Sequence, residues 1–189
     1  MNKQKDKIVA LGDSLTYGFP YSPGDAWVRL LRDLTGWQIL NKGVNGDTTG
    51  QMLKRFKRDC LAYEPVGVII TGGTNDAFAR IDVDAVLANI AAMVKGALEH
   101  GIKAVIGLPP PVNPPQDEKF LALYRAEMQG FALENSLGVI DFYNAFLSGS
   151  GRVRTELFSD TSHPNLEGHK IMADTAWHSL REIFGFAAK

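Results

Sequence analysis

The chain has 189 residues, of which 45% are hydrophobic and 22% charged, enough for one domain, 1–189, with a substantial buried core. Its formal net charge of −1, with no long basic run, excludes a general affinity for nucleic acid or anionic membrane. The single cysteine, Cys60, excludes an intrachain disulfide and a thiolate zinc cluster.

The first seven residues, Met1-Asn2-Lys3-Gln4-Lys5-Asp6-Lys7, are charged like the start of a signal peptide. The apolar run behind them covers only 8–11 before Gly12-Asp13 breaks it, too short for a secretory core. No stretch approaches transmembrane length, so a cytoplasmic protein is expected.

The run 8–11 is short, apolar and continuous, as in a strand buried on both faces. Gly12-Asp13-Ser14-Leu15 ends it abruptly, which puts a serine hydroxyl at the edge of a sheet. Residues 16–24 carry two glycines and two prolines and read as a loop. Asp25 is expected to cap a helix over 25–33, ended by Gly36. A second strand is expected at 37–40, with a turn over 41–46. Thr48 and Gln51 have capping-box spacing, which predicts a helix over 48–63.

A third strand, 66–71, ends in Gly72-Gly73-Thr74-Asn75-Asp76. Asp82 opens a helix whose apolar residues Val83, Val86, Leu87, Ile90, Val94, Ala97 and Leu98 recur at helical spacing. A fourth strand is expected at 103–108. The proline-rich 109–115 cannot be helix or central strand and reads as a stiff loop. A helix over 117–135, a short strand at 139–140 and a stretch over 141–147 that is irregular or a short helix follow. Pro164 suits the first turn of a last helix reaching Phe184. Five apolar strands alternating with helices predict an α/β protein, a parallel sheet covered on both sides.

In such sheets ligands bind beyond the carboxyl ends of the strands, where strand order reverses. With strand order 2-1-3-4-5, Ser14 lies between Gly46 and Asn75, and Asp160-Thr161-Ser162-His163-Pro164 precedes the last helix. These residue types suit acyl transfer. A serine hydroxyl needs an adjacent base, and His163 can serve because imidazole titrates near neutral pH. Asp160, three residues earlier, can hold the imidazole tautomer. The Ser14 and Gly46 backbone N–H groups and the Asn75 side-chain amide can bind the oxyanion, Gly46 standing just ahead of a helix start. Singly, each of these also fits a turn or a helix cap.

Together, Gly12-Asp13-Ser14-Leu15 with Thr16 and Gly18, Asn45-Gly46-Asp47-Thr48-Thr49, Gly73-Thr74-Asn75-Asp76 and Asp160-Thr161-Ser162-His163-Pro164-Asn165 resemble the four motif blocks of the GDSL esterase/lipase family, also called SGNH hydrolases. The blocks occur in order and span nearly the whole chain. The resemblance implies a flavodoxin-like three-layer α/β/α sandwich. It also implies carboxylic ester hydrolysis with Ser14, Asp160 and His163 as triad, Ser14, Gly46 and Asn75 as oxyanion hole, and neither metal nor cofactor. The blocks are most similar to lysophospholipase and arylesterase-like bacterial members. Thr74 departs from the Gly-Gly-Asn-Asp version of the acyl thioesterase branch. Asp13 is expected to shape the turn and not to serve as the triad acid.

Lack of a Gly-x-Ser-x-Gly elbow disfavours a conventional α/β-hydrolase. Lack of an Asp-x-His after the first strand disfavours a two-metal site. Lack of a Gly-rich loop with lysine disfavours nucleotide binding. A non-catalytic flavodoxin-like domain, holding FMN for example, would not need Asp160 and His163 together. The expected substrate is a small-molecule ester of short or medium acyl chain or lysophospholipid type, with a sugar O-acetyl ester or thioester as alternatives. An open groove is expected between the loops 17–24, 76–81 and 109–115, with Phe19, Tyr21, Phe78 and Pro110 as candidate lining. No single segment announces an oligomer interface.

Overall fold

The computed structural model describes residues 7–185, and the charged segment ahead of Lys7 lies outside them. Five strands are present: β1 (Lys7–Gly12), β2 (Gln38–Gly43), β3 (Gly67–Thr71), β4 (Lys103–Leu108) and β5 (Gly138–Asp141). They form one parallel sheet in the order β2-β1-β3-β4-β5. Ala10 stands opposite Asn41 of β2 on one side and Ile69 of β3 on the other. The helices are α1 (Ser14–Tyr17), α2 (Trp27–Thr35), α3 (Thr49–Asp59), α4 (Thr74–Ala79), α5 (Val83–Glu99), α6 (Pro115–Glu134), α7 (Phe142–Ala145) and α8 (Leu166–Phe184).

Side chains alternate across the pleat, and both faces are buried. Val9, Leu11, Val68, Ile70 and Ile106 meet Met52 and Phe56 of α3, Ile90 and Met93 of α5, and Leu121 and Met128 of α6. Ile8, Ala10, Ile69, Val105 and Ile140 meet Trp27 and Leu31 of α2, Phe142 of α7, and Met172, Ala176 and Leu180 of α8. This is the expected three-layer α/β/α sandwich. No helix among the described residues is long and apolar enough to cross a membrane.

Several local expectations change. Asp25 does not cap α2, whose N-cap is Ala26; its carboxylate instead accepts from Ser22 Oγ at 2.7 Å and holds the preceding loop. β2 runs three residues beyond Leu40, because Asn41, Lys42 and Gly43 pair with the end of β1. The Thr48–Gln51 capping box is present, but α3 stops at Asp59, and Leu61–Tyr63 is a separate 3-10 turn. The short helix α4, Thr74–Ala79, takes in residues 76–79 of the expected loop over 76–81. Pro115 belongs to α6, in the first turn, where a missing N–H costs nothing. Pro164 precedes α8, and Asn165 caps it by accepting from Glu167 and Gly168.

Candidate active site

β1 is the strand at which the winding reverses, with β2 on one side and β3 on the other. Its end therefore opens into the crevice where ligands bind in such sheets. Asp13 follows Gly12 as the N-cap of α1, and its carboxylate accepts from Leu15 N–H at 2.9 Å. Ser14 is the first residue of α1, and the helix ends after one turn at Gly18, whose φ is +110°. The buried Trp27 indole donates to Leu15 O at 3.1 Å and ties this turn to α2. Ser14 is held almost fully buried, with Oγ 3.1 Å from His163 Nε2.

His163 lies in the tight turn before α8. Oδ1 of Asp160 accepts from the main-chain N–H groups of Ser162 and His163, both at 2.8 Å. Oδ2 of the same carboxylate is 2.8 Å from His163 Nδ1. One side chain thus winds the turn and aims the ring. Partial burial pushes the Asp160 carboxyl up, but the hydrogen bonds from Ser162 and His163 outweigh it and hold the group below the usual carboxylate range. The turn is braced by Ser159 N–H donating to His163 O and by Asn113 N–H donating to Thr161 O. That second bond brings the proline-rich loop against the histidine turn.

Gly46 occupies the turn after β2. Asp47 N–H closes on Val44 O at 3.2 Å, and Gly46 has φ +81°, the conformation that the third residue of a type II turn requires. A Cβ on Gly46 would meet nothing within 4 Å, so the glycine answers to backbone conformation and not to crowding. Asn75 sits in the first turn of α4, and its Nδ2 donates to Asp47 O at 2.9 Å. The neighbouring Asp76 is buried and accepts from the main chain and hydroxyl of Thr49 at the start of α3. The structure brings Ser14, His163 and Asp160 into one hydrogen-bonded chain. It ties the Gly46 loop to Asn75 through Asp47.

Carboxylates crowd beneath this surface. Asp13 is fully buried, and its Oδ2 has no hydrogen-bond partner among the described residues. Burial pushes its pKa up to about 7; the bond from Leu15 opposes the rise, and the fields of Asp76 and Asp47 add to it. Burial likewise raises Asp76, against the bonds from Thr49. Arg55 of α3 is buried and pairs with Asp47, Nε to Oδ2 at 2.6 Å. Sequence reasoning passed over Arg55 and assigned no task to the side chains of Asp47 and Asp76. A signal existed: Arg55 shares a helical face with the buried Met52 and Phe56, where a charge demands a partner.

The candidate lining residues have different fates. The Phe19 ring packs on His163, centroids 4.7 Å apart, and Phe19 stays 38% exposed. The Tyr21 hydroxyl bonds Ser159 Oγ at 3.0 Å, so Tyr21 links its loop to the histidine turn. Phe78 lies exposed on α4, and Pro110 is buried. Among the described residues, no group of three or more His, Cys, Asp or Glu side chains is arranged to hold a metal ion.

Residues 10–171 match the model of the GDSL-like lipase/acylhydrolase family. The chain is 26% identical over 184 residues to the Pseudomonas aeruginosa protein named Esterase TesA, covering 93% of this chain and 88% of that protein. It is 28% identical over 187 residues to the Escherichia coli protein named Thioesterase 1/protease 1/lysophospholipase L1, covering 94% and 85%. A solved structure of a G-D-S-L family protein from Desulfitobacterium hafniense superimposes with a TM-score of 0.85 at 29% identity, covering 92% of this chain and 98% of that one. With the site at the reversal point of a 2-1-3-4-5 sheet and the family match across 10–171, the chain belongs to the GDSL-like lipase/acylhydrolase family, as a GDSL-type carboxylic ester hydrolase.

Proposed function

We propose that the chain hydrolyses small carboxylic esters through an acyl-enzyme on Ser14, with His163 as general base and acid and Asp160 as the orienting carboxylate. The observation that carries the reading is the continuous chain Ser14 Oγ–His163 Nε2 at 3.1 Å and His163 Nδ1–Asp160 Oδ2 at 2.8 Å. Ser14 Oγ attacks the ester carbonyl while His163 takes its proton. The tetrahedral oxyanion is held by the N–H groups of Ser14 and Gly46 and by Asn75 Nδ2. Collapse breaks the bond to the alcohol, which leaves with the proton from His163. Water, deprotonated by His163, then attacks the acyl-enzyme; the acid departs and Ser14 recovers its proton.

The proposed substrates have short or medium acyl chains or are of lysophospholipid type. Phe19, packed beside His163 and partly exposed, supports an apolar surface next to the scissile bond. Sugar O-acetyl esters and thioesters would use the same machinery, and a panel varying acyl length and leaving group separates them. A cytoplasmic location belongs to the same proposal and is checked by cell fractionation.

Treatment with an organophosphate tests the reaction type. Covalent labelling at Ser14, lost in Ser14→Ala together with turnover of a chromogenic ester, is the expected result. A folded Ser14→Ala protein with full turnover would end the proposal. A yellow, unlabelled protein would point to flavin binding.

A further inference from the structure

Arg55 is a cation buried under the site, with only 9% of its side chain exposed. Its Nε donates to Asp47 Oδ2 at 2.6 Å. One terminal nitrogen donates to Lys42 O at 2.8 Å and lies 3.3 Å from Asp59 Oδ2. The other donates to Gly12 O at 2.7 Å. Lys42 is near the end of β2 and Gly12 at the end of β1, so one planar group grips two neighbouring strand ends and the loop that joins β2 to α3. The fork geometry suits an arginine and not a lysine, whose ammonium is a single point.

The three oxyanion donors proposed above all stand on this grip. Gly12 lies two residues ahead of Ser14, and its carbonyl also accepts from Val44 N–H at 3.0 Å. Gly46 immediately precedes Asp47. Asn75 is aimed by its bond to Asp47 O, which leaves its second amide hydrogen for a substrate. No other side chain described above reaches both the segment ahead of Ser14 and the loop bearing Gly46.

We propose that Arg55 is a positioning residue for the oxyanion hole, setting the spacing of the Ser14, Gly46 and Asn75 donors by holding Gly12 O, Lys42 O and the Asp47 carboxylate at once. It touches no substrate and acts through those three partners. It lies outside the chain linking Ser14, His163 and Asp160, so its loss impairs transition-state stabilisation without altering proton transfer by His163. The inference rests on the Ser-His-Asp reading of the site.

Steady-state kinetics of Arg55→Lys on a chromogenic ester, below its melting temperature, provide the test. A kcat lower by about tenfold or more is expected, short of the roughly 10²–10³ of losing a donor itself. KM is expected within about threefold of wild type and the pH midpoint of kcat unmoved, because oxyanion binding strengthens in the transition state. In an Asn75→Ala background the same substitution should cost clearly less, since the two act on one device. Full additivity with Asn75→Ala, a displaced pH midpoint, or a kcat within about threefold of wild type overturns the proposal. If Arg55→Lys does not fold, Asp47→Asn takes its place under the same criteria, since it weakens the grip while keeping the main-chain oxygen that aims Asn75. Wild-type protein that neither turns over esters nor labels at Ser14 overturns the Ser-His-Asp reading and this one with it. An active, labelled wild type with unaffected variants overturns this one alone.

Discussion

Asn75 Nδ2 donates to the main-chain oxygen of Asp47 at 2.9 Å, fastening the first turn of α4 to the loop that carries Gly46. The two segments are separated by all of α3 and β3, yet this bond joins them directly. A primary amide has two hydrogens, so the bond orients Asn75 without exhausting it.

Asn75→Ala is expected to lower kcat by about 10²–10³, the usual loss for one oxyanion donor, with KM little changed. Initial rates on a chromogenic ester measure this. A loss below about tenfold would remove Asn75 from the oxyanion hole.

His169 of α8 should make the protein acid-sensitive. It is fully buried, neither ring nitrogen has a hydrogen-bond partner among the described residues, and it packs edge-on to Tyr21. Burial pushes its pKa down to about 4; Asp25 opposes this and His163 adds to it. Between that value and the ordinary 6.5, the unfolded chain binds more protons than the folded one. Stability from this group is complete above about 6.5 and is lost as pH falls toward 4, by roughly 3 kcal/mol. Urea denaturation at pH 7.5 and 5 should show a smaller acid-side loss for His169→Leu than for wild type. Equal losses would show that His169 is not responsible.

Asp13 acts in the opposite sense. Its folded pKa of about 7 exceeds the ordinary 3.8, so the folded chain binds more protons between the two. Its favourable contribution is complete below about 3.8 and disappears as pH rises through 7. Asp13→Asn keeps an oxygen for Leu15 N–H and carries no charge. The fall in stability from pH 6 to pH 8.5 is expected to be shallower in this variant. An unchanged slope in denaturant titrations would contradict the assignment.

Gly43 stands where the end of β2 touches α1. A Cβ there would lie 2.1 Å from Tyr17 N and 2.6 Å from Tyr17 Cα, both main-chain atoms that cannot swing aside. Gly43→Ala should therefore destabilise by about 1–3 kcal/mol, as overpacking does. A change under about 0.5 kcal/mol in thermal or urea unfolding would show that the contact relaxes freely.

Much of this molecule was legible along the chain. The strands around Val9, Ile69 and Val105 read as buried because both pleat faces are apolar, and the strand order 2-1-3-4-5, which came with the family resemblance, is the one observed. The Thr48–Gln51 capping box was readable because its two partners are three residues apart. The short helix bearing Asn75 was not. Gly72 and Gly73 look like turn residues, and what holds α4 is Asp76 receiving Thr49 and Ala77 N–H returning to Gly73 O. The cap of α2 was misplaced because Asp25 found a nearer donor in Ser22.

By itself the sequence determined the α/β order of elements, the family blocks, and the residues to examine: Ser14, Gly46, Asn75, Asp160 and His163. Each of these is a local property, written in periodicity, capping and short motifs. Only the tertiary structure decided that Asp160 turns one oxygen to its own loop and the other to His163, and that Asp13 is buried with one oxygen unpartnered among the described residues. It alone decided that Arg55 meets Gly12, forty-three residues earlier. Such contacts depend on where separate strand ends come to rest, and a buried charge takes whichever partners lie within reach there.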